Sequence, residues 1–479
     1  MEDSWANRSS APARGAHVAG ADLHLELDRG GGAGVRAALV RSLRDAVREG
    51  RLAPGTRLPS SRSLAVDLGI ARNTVADAYG ELVAEGWLTA RQGSGTRVAR
   101  RVVPAEPAPP RTPRAAARPR YDLTPGSPDV ASFPRSAWLS AARRALTAAP
   151  SEAFGYGQPR GRIELRRVLA DYLARARGVR AAPERIVVCA GFIQGLAVLS
   201  RVLRQAGHRA VAVESYGLDL HWNVMRRAGL DTVPLPVDGH GADVAELDRR
   251  SGVRAALLTP AHQFPTGVSL DPDRRAAVVD WAARTGGLVL EDDYDGEFRY
   301  DRQPVGALQG LDPERVVYLG TASKSLAPGL RIAWMVVPDH LMDALLALKG
   351  TGEWQSGALD QLTLAEFMDS GGYDRHLRGM RLRYRRRRDQ LVAALADRAP
   401  EVEVTGIAAG LHAVLELPPG TERSVVQGAA WQGLALHGLA RFRHPEAGEE
   451  LRDALVFAYG TPPDHAFSGA IEALCRVLP

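Results

Sequence analysis

Residues 315–336 read RVVYLGTASKSLAPGLRIAWMV: an apolar strand-like run to Gly320, small hydroxyl residues around Lys324, a Pro-Gly turn, then Arg331. Lysine is scarce enough to make this stretch informative. The chain has 59 arginines and two lysines, Lys324 and Lys349, so arginine supplies positive charge almost everywhere else. A guanidinium is never usefully deprotonated, whereas a desolvated amine can be, and only the amine can form a Schiff base with a carbonyl compound. Lys349 ends the run LMDALLALKG and reads as a partner of a helix C-terminus.

Around this stretch, apolar runs RIVVCA (185–190), AVAVES (210–215), AALLTPA (255–261) and GLVLEDD (287–293) alternate with helical stretches such as ELRRVLADYLARA (164–176). That order predicts an α/β domain with a largely parallel sheet buried on both faces. Open sheets of this kind bind ligands at the carboxyl ends of their strands. There GLVLEDDYDGEFRY (287–300) places carboxylates and a phenol, and CAGFIQG (189–195) opens a helix whose first N–H groups suit a phosphate. The hydroxyls beside Lys324, with Arg331, suit the same dianion. A carboxylate at that edge can keep a pyridine nitrogen protonated, and a phenol can bond a ring hydroxyl oxygen.

The front of the chain has another character. Residues 1–120 hold 19 arginines and no lysine against 12 acidic residues, net +7, while residues 121–479 are net −1. A basic front fits a phosphate-backbone binder. VRAALVRSLRDAVREG (35–50) has the spacing of an amphipathic helix that stops at Gly50. After a Gly- and Pro-rich turn comes a helix opened by Ser60 or Ser61, a break at Gly69 and a second helix to Gly86, a helix-turn-helix. WLTARQGSGTRVAR (87–100) then gives two strand-like runs about a Gly-Ser-Gly tip, a wing.

RVVPAEPAPPRTPRAAARPR (101–120) is too rich in proline for helix or sheet and reads as an extended linker. The expected organisation is therefore a mobile tail at 1–20, a DNA-binding domain at 21–100, this linker, and a second domain at 121–479. No run of about 18 apolar residues and no secretory apolar core occur, which points to the cytoplasm and away from the membrane. Cys189 and Cys475 have the spacing of neither a disulfide framework nor a zinc site, and no metal is expected.

Two sets of motifs carry a family resemblance. GRLAPGTRLPSSRSLA, ARNTVADAYGEL and EGW resemble the GntR family of winged-helix regulators over residues 35–98. YGQPRGRIELR, TPAHQFPTG, EDDYDGEFRY and TASKSLAPGLR resemble the fold-type I aminotransferase superfamily, in its DNA-binding MocR/GabR branch, over residues 121–479. The resemblance implies a winged helix-turn-helix, a Pro/Arg-rich linker, and an α/β pyridoxal 5'-phosphate-dependent transferase fold with a small C-terminal α+β subdomain.

For DNA it implies Ser61 and Arg62 at the phosphate backbone, Arg72, Asn73 and Thr74 leading a recognition helix into the major groove, and Gly95 and Thr96 in the wing. Arginine can fork onto guanine, asparagine can read adenine, and hydroxyls suit phosphates. For the cofactor it implies Lys324 as the internal aldimine, Asp292 at the pyridine nitrogen and Tyr294 at the ring oxygen. Phosphate falls to the backbone of Phe192 and Ile193, to Ser323 and to Arg331, with Tyr156 reaching the neighbouring subunit's phosphate in a homodimer.

The chain also departs from the aminotransferase pattern. Leu218 stands where those enzymes stack an aromatic ring, with Tyr216 as the alternative, and Phe264 replaces the asparagine of their Asn-Pro-Thr-Gly motif. Arg441, with Arg452 as rival, is the expected anchor for an effector carboxylate; His262 is either a polar contact or a core histidine. The expected protein is a regulator that binds a double-stranded operator and senses pyridoxal phosphate, or an amine or amino acid as an external aldimine, without physiological turnover. The alternative is an active aminotransferase with an appended DNA-binding domain.

Overall fold

The computed structural model describes residues 18–19, 26–27, 34–91, 95–100, 119–300, 305–352, 356–448 and 452–479. They fall into two compact units, Met1–Ala116 and Ala117–Pro479. Most of the expected tail and linker lies outside the described residues.

In the first unit, α1 (Val35–Arg48) buries Leu39, Val40, Leu43 and Ala46, one stripe of an amphipathic helix. Helix α2 (Ser61–Leu68) begins because the Ser60 hydroxyl accepts the Ser63 N–H at 3.1 Å. It ends because Gly69 turns left-handed at φ 63°, a conformation open to a residue without Cβ. Helix α3 (Arg72–Ala84) packs Val75, Tyr79 and Leu82 against Leu64 and Leu68 of α2. Tyr79 donates to Pro59 O at 3.1 Å, tying α3 to the turn before α2. The wing is the antiparallel pair β1 (Leu88–Arg91) and β2 (Gly95–Val98); its tip, residues 92–94, is outside the described residues.

The second unit is built on a seven-stranded sheet. In chain order the strands are β3 (Ile186–Cys189), β4 (Ala210–Glu214), β5 (Asp231–Leu235), β6 (Ala255–Leu258), β7 (Leu288–Asp293), β8 (Val316–Thr321) and β9 (Ala333–Val336). Their spatial order is β3-β9-β8-β7-β6-β4-β5, parallel except for β9, which runs antiparallel to both neighbours. The parallel runs match those expected from sequence. Strand β9 is the departure, and length explains it: the residues between β8 and β9 make only a short 3-10 turn, too little for the crossover a parallel return requires.

Both sheet faces are covered. Helix α4 (Phe192–Gln205) and α5 (Asp219–Arg227) close one face with Leu196, Leu199, Val202, Trp222 and Met225, and α6 (Pro272–Thr285) closes the other with Val278 and Trp281. Lys349 lies in the last turn of the helix Asp339–Gly352, as expected, but is buried. The C-terminal subdomain is a four-stranded antiparallel sheet, Val404–Thr405, His412–Glu416, Ala454–Ala458 and His437–Gly438 in spatial order, with the helices Glu422–Trp431 and Asp464–Cys475.

Candidate functional site

The carboxyl ends of β4, β6, β7 and β8 open on a cavity of about 300 Å³. The sheet decides which side chains meet there. Asp292 is in register with Leu319 across the β7–β8 pair, so the turn after β7 and the one after β8, which carries Lys324, face each other. Lys324 is half-buried and donates through Nζ to Gly126 O. Burial lowers its ammonium pKa, while the nearby charges of Asp295 and Asp292 act to raise it.

Asp292 is 5% exposed, and its Oδ1 has no hydrogen-bond partner among the described residues. Burial, and then the charge of Asp293, push its carboxyl well above the ordinary range. Asp293 points elsewhere: its carboxylate takes a fork of bonds from Arg177, at 2.7 and 2.9 Å, and the Tyr318 hydroxyl at 2.7 Å. A buried carboxylate oxygen without a donor normally costs stability, and a protonated pyridine nitrogen is a donor of the matching kind.

At the other end of the cavity Arg331 adopts φ 52°, the single left-handed non-glycine residue among the described ones. Its Nη2 donates to Ala190 O at 2.6 Å, so the guanidinium lies at the start of α4. Gly191 caps that helix at φ 103°, and a Cβ there would come within 2.6 Å of Arg331 Nη2. Phe192 and Ile193 follow as the first helical residues, whose N–H groups have no partner within a helix. Ser323 lines the same end, its hydroxyl 2.9 Å from Thr321 Oγ1. A guanidinium, a hydroxyl and a helix N-terminus meet there, the donor set of a phosphate site.

Tyr294 also lines the cavity; burial, and then the charges of Asp295 and Asp292, keep its phenol well above its usual range and hence a donor. Of the two candidates for the ring face, Tyr216 is buried in the lining and Leu218 is partly exposed in it. The structure adds a third, His221, which sequence reading missed. Leu218 caps α5, so His221 comes one turn later on the same side, its ring 4.7 Å from that of Phe192. Burial lowers it to about 4, which leaves it a neutral ring at neutral pH. Phe264 stands edge-on to Tyr294 at 6.2 Å and brings an apolar ring to the lining.

Neither expected carboxylate anchor lines the cavity. Arg441 is exposed on the 3-10 turn Leu439–Phe442, and Arg452 is exposed in an ion pair with Glu416. Among the described lining residues the only guanidinium is that of Arg331. Arg441 lies on a 3-10 turn and Arg452 ahead of the strand that begins at Ala454, so the path of the connecting segments, which sequence pattern does not give, decides where each points. Tyr156 is 99% exposed and does not reach its own chain's cavity. His262 is no isolated core histidine: its Nδ1 lies 2.9 Å from Asp295 Oδ2 and 3.2 Å from Tyr294 OH. Asp295, absent from the sequence-based candidates, lines the cavity; its signal was the fourth acidic residue of EDDYD.

In the first unit, Arg62, Arg72 and Asn73 are exposed and Ser61 and Thr74 partly so, all at the starts of α2 and α3. Gly95 is exposed at φ 82° with Thr96 beside it in β2. Two helix starts and one wing strand thus present the expected groups to solvent.

The comparisons match both halves. The model described as bacterial regulatory proteins, gntR family, matches residues 36–98, and that for aminotransferase class I and II matches residues 122–452. A pyridoxine biosynthesis transcriptional regulator, PdxR, of Corynebacterium glutamicum is 35% identical over 92% of this chain and 95% of its own. The probable rhizopine catabolism regulatory protein MocR of Rhizobium meliloti is 37% identical over 77% of this chain and 78% of its own. The crystal structure of an archaeal alanine:glyoxylate aminotransferase superposes with a TM-score of 0.68 at 25% identity, over 75% of this chain and 90% of that one.

Proposed function

Because the chain belongs to the MocR-type regulators of the gntR family, a winged helix joined to a class I and II aminotransferase domain, we propose that its ligand cavity governs its grip on DNA. It is a pyridoxal 5'-phosphate-dependent transcription regulator. On our reading the winged helix occupies residues 21–100 and the ligand domain residues 121–479, separated by the proline-rich linker.

The observation that supports this ligand best is the buried Oδ1 of Asp292, which has no hydrogen-bond partner among the described residues. Asp292 meets the ring nitrogen, Tyr294 faces the ring oxygen, and Lys324 supplies the amine for covalent attachment. Phe192, Ile193, Ser323 and Arg331 hold the phosphate, and Tyr216, with His221, flanks the ring. When bound, the cofactor supplies an electrophilic aldehyde and an electron-withdrawing ring. Tyr156, exposed in its own chain, serves the cavity of a second copy, which makes a homodimer the ligand-competent form. Ser61, Arg62, Arg72, Asn73, Thr74, Gly95 and Thr96 contact the operator.

Pyridoxal phosphate itself, or a small amine or amino acid that meets it at Lys324, is the signal. Such a signal shifts operator binding only by its differential affinity for the competent and incompetent states, commonly about 1–3 kcal/mol. The test is borohydride reduction of protein loaded with pyridoxal phosphate, followed by peptide mass analysis. We expect a pyridoxyl group on Lys324, none in Lys324→Ala, and operator affinity that depends on loading in the wild type alone. An unmodified Lys324 would overturn the reading. Sustained amino transfer to a keto acid would favour the enzyme instead.

A further inference from the structure

A second carboxylate reaches this cavity behind the phenol. The His262 ring nitrogen Nδ1 is within bonding distance of both Asp295 Oδ2, 2.9 Å, and Tyr294 OH, 3.2 Å, but it can serve only one of them at a time. A carboxylate accepts only, so with Asp295 ionised the Nδ1 proton goes to Asp295. The Tyr294 hydroxyl then finds no acceptor on that ring nitrogen, and its proton is left for the cavity or for Asp295 itself.

Neighbouring groups keep this arrangement in place. His412 lies with its ring centroid 4.9 Å from that of His262, and its Nε2 is 3.1 Å from Pro265 O. A carbonyl accepts only, so Nε2 carries the proton; burial lowers His412 to about 3, so its ring is neutral at neutral pH. Gly410, at φ 68°, seals the pair: a Cβ there would lie 2.5 Å from Asp295 Oδ2 and 2.6 Å from His262 Nδ1. The Gly410 carbonyl is itself held by the Tyr459 and Tyr300 hydroxyls, at 2.8 and 2.6 Å. Asp295 and His262 are both buried.

We propose that Asp295, held by His262 and lining the same cavity as Lys324, is a second carboxylate of the ligand site: it places a negative charge beside the Lys324 amine. The titratable groups lining the cavity with that amine are Asp292, Tyr294 and Asp295 from the end of β7, Glu214 and Tyr216 from the end of β4, His221 from α5, His412 from the C-terminal sheet and Arg331 at the phosphate end. The two histidines are neutral at neutral pH and the phenol is protonated; the nearby charges that act to raise the amine are Asp295 first and Asp292 second. Asp292 meets the ring nitrogen once ligand is bound, which leaves Asp295 as the charge committed to Lys324. This inference rests on the cofactor reading only for the engagement of Asp292 with the ring nitrogen.

Its test therefore uses the ligand-free full-length protein. The pH dependence of Lys324 acylation by acetic anhydride is read by peptide mass, which separates it from Lys349, the one other lysine. In Asp295→Asn we expect the Lys324 titration to fall by about one unit, a tenfold loss of proton affinity, and Asp295→Glu to restore most of it. His262→Leu keeps the carboxylate but removes the donor that holds it; it shifts the titration in the same direction by less, and decides the matter if the asparagine variant does not fold. Wild-type titration in folded Asp295→Asn, or in His262→Leu where the first variant is lost, overturns the proposal. Because no cofactor is added, this result is independent of whether pyridoxal phosphate binds.

Discussion

At the scale of single residues, the site is written in polar groups whose partners are missing or forced. Asp292 holds a buried oxygen with no donor among the described residues, so ligand-free protein bears a cost that ligand relieves. Asp292→Asn should therefore weaken pyridoxal phosphate binding tenfold or more, in line with about 1.5–3 kcal/mol for a hydrogen bond to a charged group. The same variant should melt no lower than wild type when ligand-free above neutral pH; absorbance titration and thermal melting check the two halves. Gly191 makes the opposite case. Its φ of 103° and the Arg331 guanidinium leave no room for a methyl group, so Gly191→Ala should lose phosphate affinity while the sheet still folds, read by inorganic phosphate competition against pyridoxal phosphate. Lys324, Asp292 and Arg331 were legible in sequence because their chemistry is rare or their motif is long. Asp295 and His221 were not, because a short acidic run and a lone histidine have many structural uses.

At the scale of elements, the DNA-facing helices are fixed by local signals. Ser60 supplies the first acceptor of α2 and Gly69 its left-handed end, so Ser60→Ala should cost about 1 kcal/mol of first-unit stability, measured by denaturant titration. Arg72 sits exposed at the first position of α3, where it can reach a groove only if that helix start enters it. Arg72→Ala should weaken operator binding and, if the contact is to phosphate, lower the salt slope by about one. An unchanged slope with unchanged sequence preference would refute the placement. Helix boundaries came out close to expectation here because cap and breaker residues act through the nearest few peptide groups. Strand β9 did not, since its direction is set by connection length and by its neighbours rather than by its own AWMV.

At the scale of the whole molecule, the buried carboxylates of the second unit make its stability depend on pH. Burial raises Glu214 and Glu291 to about 7 each, against opposing hydrogen bonds from Thr259 and Gln263 to the first and from the Leu308 and Gln309 N–H groups to the second. A carboxyl raised in the folded state binds protons that the unfolded chain has already released, so stability is fully present below the ordinary glutamate range and falls as pH rises toward about 7. Denaturant titrations from pH 5 to 8 should show that fall, and Glu214→Gln should flatten it. Sequence alone determined the two-part plan, the parallel strands, the winged helix and the prominence of Lys324, since each rests on local periodicity, capping, composition or a motif. Only the tertiary structure decided which polar groups share the cavity: it brought in Asp295 and His221 and left Arg441 and Arg452 in solvent. The physical reason is that strand register and the paths of loops, summed over residues far apart in the chain, place a side chain inside or outside a pocket, and no local run of sequence carries that sum.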